Sequence, residues 1–288
     1  MAVTSRQEKT QRNPGRVLGT VLMYLVLIMA CIIVLYPLIW VLSCSFKSTA
    51  GLVGSSLIPA NPTLANYKKI FTDPNVNFGR WFFNTLKLSV VSALVALALT
   101  TPAAYAFSRM RFAGRRQTLI GFMICQMFPG FMAIVALYTL LGWAGLIDTH
   151  LGLIVLYAGG AIPFSIWLLK GYFDSVPVEI EESALIDGAT KFQAFTRILL
   201  PLARPVLYVV ALINFLGPYA EYLLAQVVIN SGSKWTLAMG MRSLTVSQFA
   251  TDWPIFSAVS VLTALPIVIV FLSAEKYIVS GLTRGAIK

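Results

Sequence analysis

Six long apolar stretches dominate this chain, because its charged residues are kept away from them. No Asp, Glu, Lys or Arg falls between Arg16 and Lys47, Lys87 and Arg109, Arg116 and Asp148, Asp148 and Lys170, or Asp252 and Glu275. Between Arg204 and Lys234 the one charge is Glu221. Each gap exceeds the ~18–20 residues an α-helix needs to cross about 30 Å of hydrocarbon. The pattern predicts spans at roughly 18–43, 85–106, 118–141, 151–172, 205–229 and 255–277. No water in the bilayer core can satisfy open backbone groups, so such spans must be helices. The expected fold is therefore an all-α integral membrane protein with six transmembrane helices. One membrane domain, 17–280, lies between short tails at 1–16 and 281–288.

The polar segments between the spans carry their own signals. Residues 45–84 form a long loop with turns at Pro59-Ala-Asn-Pro62 and Asp73-Pro74, and with an interfacial aromatic cluster at Trp81-Phe-Phe83. Residues 230–254 form a second loop on the same side. The segment 173–204 reads as two short helices. Asp174 or Ser175 can cap the first, whose opening turn holds Pro177, Glu179, Glu181 and Glu182, acids suited to the positive end of a helix dipole. Gly188 can take the left-handed conformation that ends it. Thr190-Lys-Phe-Gln193 is a capping box opening the second helix. That helix would show an apolar face of Phe192, Phe195 and Ile198 or Leu199 before Pro201 and Pro205. Every span contains or borders a proline (Pro37, Pro102, Pro129, Pro163, Pro205 or Pro218, Pro266), which fits ordinary membrane composition as well as a bundle built to bend.

Charge sets the topology. Of 22 Lys and Arg residues, 15 lie on the side that holds both termini and the 173–204 segment. That side is expected to be cytoplasmic in a multi-pass plasma membrane protein. The net charge of +11 then reflects basic loops facing anionic lipid, and no nucleic acid is needed to explain it. A chain that is 58% hydrophobic and 11% charged is not a soluble enzyme. The first stretch is too long for a secretory signal core of about 7–15 residues and is read as an uncleaved span. Cys31, Cys44 and Cys125 lack metal-ligand spacing and read as small hydrophobes, and His150 is the lone histidine, so no metal site is expected. No G-x-x-x-x-G-K-[ST] phosphate loop occurs, so the chain itself is expected to bind no ATP.

Glu182-Ser-Ala-Leu-Ile-Asp-Gly188, followed after nine residues by Ile198-Leu-Leu-Pro201, resembles the EAA loop of ABC-importer permeases. Ser183 replaces the first alanine of that pattern, and Glu182, Ala184, Gly188, Ile198, Leu200 and Pro201 fit at every spacing. Without that match, a simple interfacial helix pair would explain the segment. The resemblance extends along nearly the whole chain. Ser56-Leu-Ile-Pro-Ala-Asn-Pro-Thr-Leu-Ala-Asn-Tyr67, Asn84-Thr-Leu86, Ala104 to Phe112, Gln126-Met-Phe-Pro129, Lys170-Gly-Tyr-Phe173, Thr236 to Met241 and Gly281 to Lys288 are similar to permeases of the maltose/maltodextrin-type carbohydrate importers.

The resemblance implies a type I ABC importer permease fold and import of a sugar, maltodextrin first, by alternating access. It implies a sister permease, two copies of an ABC ATPase that carry ATP and Mg, and an extracytoplasmic sugar-binding protein. Coupling to the ATPase would fall to Glu182, Ser183, Ala184, Asp187, Gly188, Ile198 and Pro201. Thr236, Met239 and Met241 would meet the binding protein. The tail residues Gly285, Ile287 and Lys288 would reach between the ATPases, although Arg284 replaces a small residue of the familiar tail.

Glu221 stands in the middle of the fifth predicted span, where a carboxylate costs several kcal/mol unless it meets water or a polar partner. Helical spacing puts Asn214, Pro218, Glu221 and Tyr222 on one face. With Tyr219, they offer the hydrogen bonds and ring faces that sugars use. The alternative is a structural hydrogen bond from Glu221 to the sister permease. Another oligosaccharide, a polyol or a glycerophosphodiester are alternative cargoes. An ion-coupled secondary transporter would need more intramembrane charge and inverted repeats, and a membrane enzyme would need several convergent titratable groups.

Overall fold

The computed structural model describes residues 14–48, 56–245 and 251–284, and among them every regular element is helical. The order is α1 (Pro14–Ser45), α2 (Ala65–Thr72), α3 (Phe78–Arg109), α4 (Arg115–Met127), α5 (Gly130–Trp143), α6 (His150–Ser175), α7 (Glu179–Ile186), α8 (Lys191–Leu202), α9 (Arg204–Ala220), α10 (Leu223–Val228), α11 (Leu237–Ser243) and α12 (Trp253–Arg284). Four helices are long and apolar enough to cross a membrane unbroken: α1, α3, α6 and α12. Two bent pairs, α4–α5 and α8–α9, bring the total to as many as six when each pair is counted as one span.

The third expected span, 118–141, is corrected from a straight helix to one bent by 90° between Met127 and Gly130. Pro129 accounts for the break, since it bars the residue before it from helical geometry, and Phe128 is extended. The fifth, 205–229, is likewise corrected. It follows α8 at 76°, stops as a helix at Ala220 and restarts as the short α10. The second span, α3, outruns its expected limits of 85 and 106, because Phe78 and Trp81 are buried at one end and Phe107 at the other.

Helices α3, α6 and α9 pack on one another, and α12 joins them through α9. Two cores lie at opposite ends of this bundle. Near the α3 C-terminus, Ala104, Tyr105, Leu169, Phe173, Phe195, Leu199 and Val206 are buried together. Near its N-terminus, Trp81 and Phe78 pack with Tyr219, Leu237, Ile255 and Val259. Helix α1 packs against α12 but buries none of its apolar window, and Leu18, Ile32 and Ile33 are more than 60% exposed. A helix so apolar and so exposed needs lipid or another chain around it.

Candidate functional site: a docking loop and a cavity beside Glu221

The 173–204 segment folds as two short helices around a glycine joint. Gly188 sits at φ 89°, the left-handed region that L-residues enter only at a cost of roughly 1–2 kcal/mol. A backbone bond from Ala189 N to Ala184 O at 2.9 Å closes the first helix there. The capping box is formed as expected, with Thr190 N donating to Gln193 Oε1 at 2.8 Å and Gln193 N to Thr190 Oγ1 at 3.2 Å. The expected cap at Asp174 or Ser175 is corrected. Val178 precedes the helix and offers no side-chain bond. Ser175 instead donates to Tyr172 O, and Asp174 accepts from Lys170 and Ser108 at the end of α6 and α3.

Glu182, Ser183, Asp187 and Gly188 are exposed, whereas Ala184 is buried against the bundle. Val178, Ile180, Leu185, Ile186 and Phe192 add an apolar surface, led by Ile186 at 86% and Phe192 at 73% exposure. Phe192 thus leaves the apolar face expected of it, and Phe195 and Leu199 fill the core instead. Ile198 is half-buried and Pro201 exposed, and the helix is π-wound over Phe195–Leu199, a stretch that includes Ile198 and ends two residues before Pro201.

Glu181, beside the expected motif, is the residue that fastens this loop. Arg109 Nε lies 2.5 Å from its Oε1, and Tyr105 Oη donates to its Oε2 at 3.2 Å. Arg109 Nη2 also donates to Val176 O at 2.8 Å. Both charged side chains are about nine-tenths buried, 11% and 7% exposed. Sequence reading placed Glu181 among first-turn acids and Arg109 among loop cations. Glu181 shares a helical face with the buried Ala184, three residues on, but nothing local in the sequence separates that face from the one carrying Glu179 and Glu182.

The second candidate site is a cavity of about 430 Å³ between α6 and α9, lined by Leu156, Tyr157, Gly160, Ala161, Phe164, Ile213, Asn214, Gly217, Pro218, Glu221 and Leu224. Asn214, Pro218 and Glu221 do converge, but not as one helical face. Glu221 is extended, at φ −74° and ψ 134°, beyond the end of α9. Pro218 donates no backbone bond to Asn214, which weakens the last turn. The Glu221 carboxylate then opens α10 by accepting from Leu224 N at 2.7 Å and Ala225 N at 3.1 Å, as an N-terminal cap does. Tyr157 Oη donates to the same carboxylate at 2.7 Å. Asn214 is buried and pairs with Ser165 through its amide nitrogen at 3.1 Å.

Tyr219 and Tyr222 do not line the cavity. Tyr219 donates to Thr263 O at 2.8 Å inside the Trp81 core, and Tyr222 packs at the edge of a separate core that contains Leu88 and Leu141. Tyr157, Phe164 and Ser165, all on α6, were missed. They lie seven and eight residues apart on one helical face, a periodicity readable in the sequence.

The 230–245 segment folds back onto α3. Thr236 is buried and caps α11 by accepting from Met239 N, and Met239 lies in the core with Leu88 and Leu153. Met241 is half-buried. Thr236 and Met239 therefore present no free side chain in this conformation, and of the three residues expected to meet a binding protein only Met241 reaches the surface. Asp148, at φ 55°, ties this segment to the α5–α6 turn. It accepts from Ser231 Oγ at 2.5 Å, from Ser231 N and Asn230 N at 2.9 Å, and pairs with Lys234 Nζ at 2.9 Å. The Ser231 hydrogen bonds, then Lys234, hold its carboxyl well below the usual carboxylate range. Among the described residues no group of three or more His, Cys, Asp or Glu side chains gathers as a metal site. The expected tail contacts Gly285, Ile287 and Lys288 lie outside the described residues.

Known proteins give these features a context. Residues 97–284 match the family described as "Binding-protein-dependent transport system inner membrane component". The chain is 38% identical over 266 residues to the galactooligosaccharides transport system permease protein GanQ of Bacillus subtilis, covering 92% of this chain and 94% of that one. It is 37% identical over 276 residues to the maltodextrin transport system permease protein MdxG of the same organism, covering 96% and 99%. It is 39% identical over 272 residues to the maltose/maltodextrin transport system permease protein MalG of Vibrio vulnificus, covering 88% and 91%. In fold it is similar to a chain of a bacterial ABC transporter involved in the import of alginate, with a TM-score of 0.78 over 96% of this chain and 99% of that one, at 24% identity.

Proposed function

This chain belongs to the binding-protein-dependent transport system inner membrane component family, and from that premise we propose that it is a membrane-spanning subunit of an ATP-driven oligosaccharide importer, with maltodextrin as its cargo. The observation that carries the coupling part of this reading is the loop 173–204. Its exposed face combines Ile186, Leu185, Ile180 and Phe192 with Glu182 and Asp187, a surface suited to a protein partner rather than to water. On this reading the loop faces the cytoplasm and seats in a separate ATPase that binds ATP and Mg. The buried Ala184 and the glycine joint make it a stiff knob instead of a floppy tether. A sister permease would cover the bare apolar face of α1 in part, with lipid covering the rest. A sugar-binding protein would deliver cargo at the opposite end.

Similarity to a galactooligosaccharide permease across 92% of the chain favours an oligosaccharide over a polyol or a glycerophosphodiester. It also keeps galactooligosaccharides as the second candidate. Glu221 on this reading holds the break in the fifth span open from within the chain, since its carboxylate already accepts three hydrogen bonds. Sugar would pass beside Asn214 and Phe164 without displacing them.

The test is gentle purification of the tagged chain from its native membrane, followed by mass spectrometry of what accompanies it. A second permease and an ABC ATPase are expected. The captured complex is then reconstituted with its binding protein, and ATP hydrolysis is measured with maltodextrins and galactooligosaccharides. A chain that reproducibly comes out alone would sink the coupling reading.

A further inference from the structure

Helix α3 is held at both ends by side chains that reach other functional segments, and the two attachments are unlike the packing between them. At one end, Arg109 and Tyr105 grip Glu181 of the docking helix α7, and Arg109 also holds Val176 O in the linker to that helix. Glu181 and Ala184 are the two buried residues of α7. Alanine offers contact area but no direction, so the ion pair fixes where α7 sits. A charged pair this desolvated tolerates little change in geometry, because either partner left alone would be a buried bare charge.

At the other end, Thr85 Oγ1 accepts from Leu237 N at 2.7 Å in a fully buried contact. Asn84 Nδ2 donates to Ser233 O at 3.1 Å and Trp235 O at 3.0 Å. Gly240 lies flat on the Trp81 indole, where an added Cβ would come within 2.1 Å of the ring. Four points of attachment thus bind segment 233–240 to the first two turns of α3. Between Trp81 and Arg109 the helix runs about 40 Å at 1.5 Å per residue. Its one missing backbone link is at Pro102, close to the Arg109 end.

We propose that the Arg109–Glu181 pair is a positioning joint through which the docking helix moves α3, and that α3 carries this displacement to segment 233–240 at the far end of the molecule. Arg109 and Glu181 touch neither cargo nor nucleotide and act through the helix they hold. This rests on the coupling reading for its biological meaning, but the mechanical link is measurable without it. Coupling between two ends of one rod must be reciprocal. Loosening the joint frees the distal segment, and loosening the distal attachment frees the docking helix.

The experiment is hydrogen–deuterium exchange of the tagged chain, purified with whatever accompanies it, in lipid nanodiscs. Glu181→Gln keeps the side-chain shape and removes the charge. Thr85→Val keeps the shape at the other end and removes the acceptor of Leu237 N. Glu181→Gln is expected to speed exchange in α7 and, some 40 Å away, in residues 236–240 by at least about fivefold, the lower end of ordinary site-to-site coupling. Thr85→Val is expected to speed exchange in α7 by a similar factor while leaving the middle of α6 unchanged. Arg109→Lys, which keeps the charge but not the fork, should fall between wild type and Glu181→Gln.

If each variant loosens its own end alone, the link is overturned, even where an ATPase co-purifies and the docking reading stands. If the distal effects appear and no ATPase accompanies the wild-type chain, the link stands and the docking reading falls. If Glu181→Gln does not fold, Thr85→Val decides by itself through the exchange of α7.

Discussion

The docking loop and the Glu221 carboxylate at the edge of a largely apolar cavity are both polar features in an apolar chain, yet one is built by neighbours in sequence and the other by contacts across helices. In the loop, Thr190 and Gln193 cap each other and Gly188 turns the chain at φ 89°, all within a few residues. At the cavity, Glu221 is answered by Tyr157, 64 residues earlier, and Asn214 by Ser165, 49 residues earlier. Local chemistry survives the membrane context in the first case. In the second, the same residues take their role from a break in the helix that only the assembled bundle explains. The difference predicts that loop variants alter function while the fold persists, and that cavity variants alter stability first.

The largest effect is expected at Gly188. Gly188→Glu forces a side chain into the left-handed region and places a negative charge on the exposed docking face. The strain of roughly 1–2 kcal/mol is too small to unfold the bundle. The variant should therefore reach the membrane at normal levels and lose sugar uptake almost completely. Normal uptake by membrane vesicles carrying it would break the comparison at its strongest point.

Glu221→Ala comes next and should behave in the opposite way. It strips a partner from the Tyr157 hydroxyl and from two amides of α10, so a loss of about 3 kcal/mol is expected from hydrogen bonds to a charged group. A clear fall in the unfolding temperature is the expected readout, with Glu221→Gln intermediate and the range of sugars accepted unchanged. A variant that kept wild-type stability but accepted different sugars would return Glu221 to the substrate path.

Helix content, span number and the two-helix loop were legible in the sequence because they depend on apolar run length, caps and one glycine. The bend at Phe128–Pro129 was signalled by proline but not its 90° size, which depends on how α4 and α5 pack. The face shared by Asn214, Pro218, Glu221 and Tyr222 was drawn by extending helical periodicity two residues too far, past Pro218 and through the end of α9 at Ala220. Periodicity carries no mark of where a helix gives way to a side-chain cap from Glu221. Glu181 was hidden for another reason. Its partner Arg109 is 72 residues away, and in sequence both look like ordinary charges at a helix end. Thr236 and Met239 came only from the resemblance, which carries no burial, whereas Thr85 and Trp81 of α3 draw their segment into the core.

A smaller effect sharpens the loop side of the comparison. Thr190→Ala removes one half of the capping box, at a cost of about 1 kcal/mol. Coupling of ATP hydrolysis to uptake should weaken severalfold while the unfolding temperature of the bundle hardly changes. Should the bundle melt much earlier instead, the loop is a structural support and not a separable moving part.

The smallest expected effect concerns Asp148, which joins the α5–α6 turn to the 230–234 segment by long-range contacts of the kind that make the cavity. Its carboxyl is held below the ordinary range, chiefly by Ser231 and then by Lys234. The sign follows from linkage: a depressed folded value means the charged form is favoured in the fold, so the stabilisation is complete above the ordinary carboxylate value of about 3.9 and is lost as pH falls through the lower folded value. Between pH 5 and 8 the clamp should not vary. The Lys234 part is weak, since its side chain is 38% exposed and Asp148 is 25% exposed, which leaves the pair open to screening by salt. Asp148→Asn is the clean comparison because asparagine tolerates the φ of 55° while lacking the charge. The wild-type chain should lose protection of the 230–234 amides as pH is lowered from 5 toward 3, and the Asn variant should start less protected and change less over that interval. Equal acid sensitivity in the two would mean that the segment is held by Asn84, Thr85 and Trp81 from the α3 side, with Asp148 contributing nothing to its pH dependence.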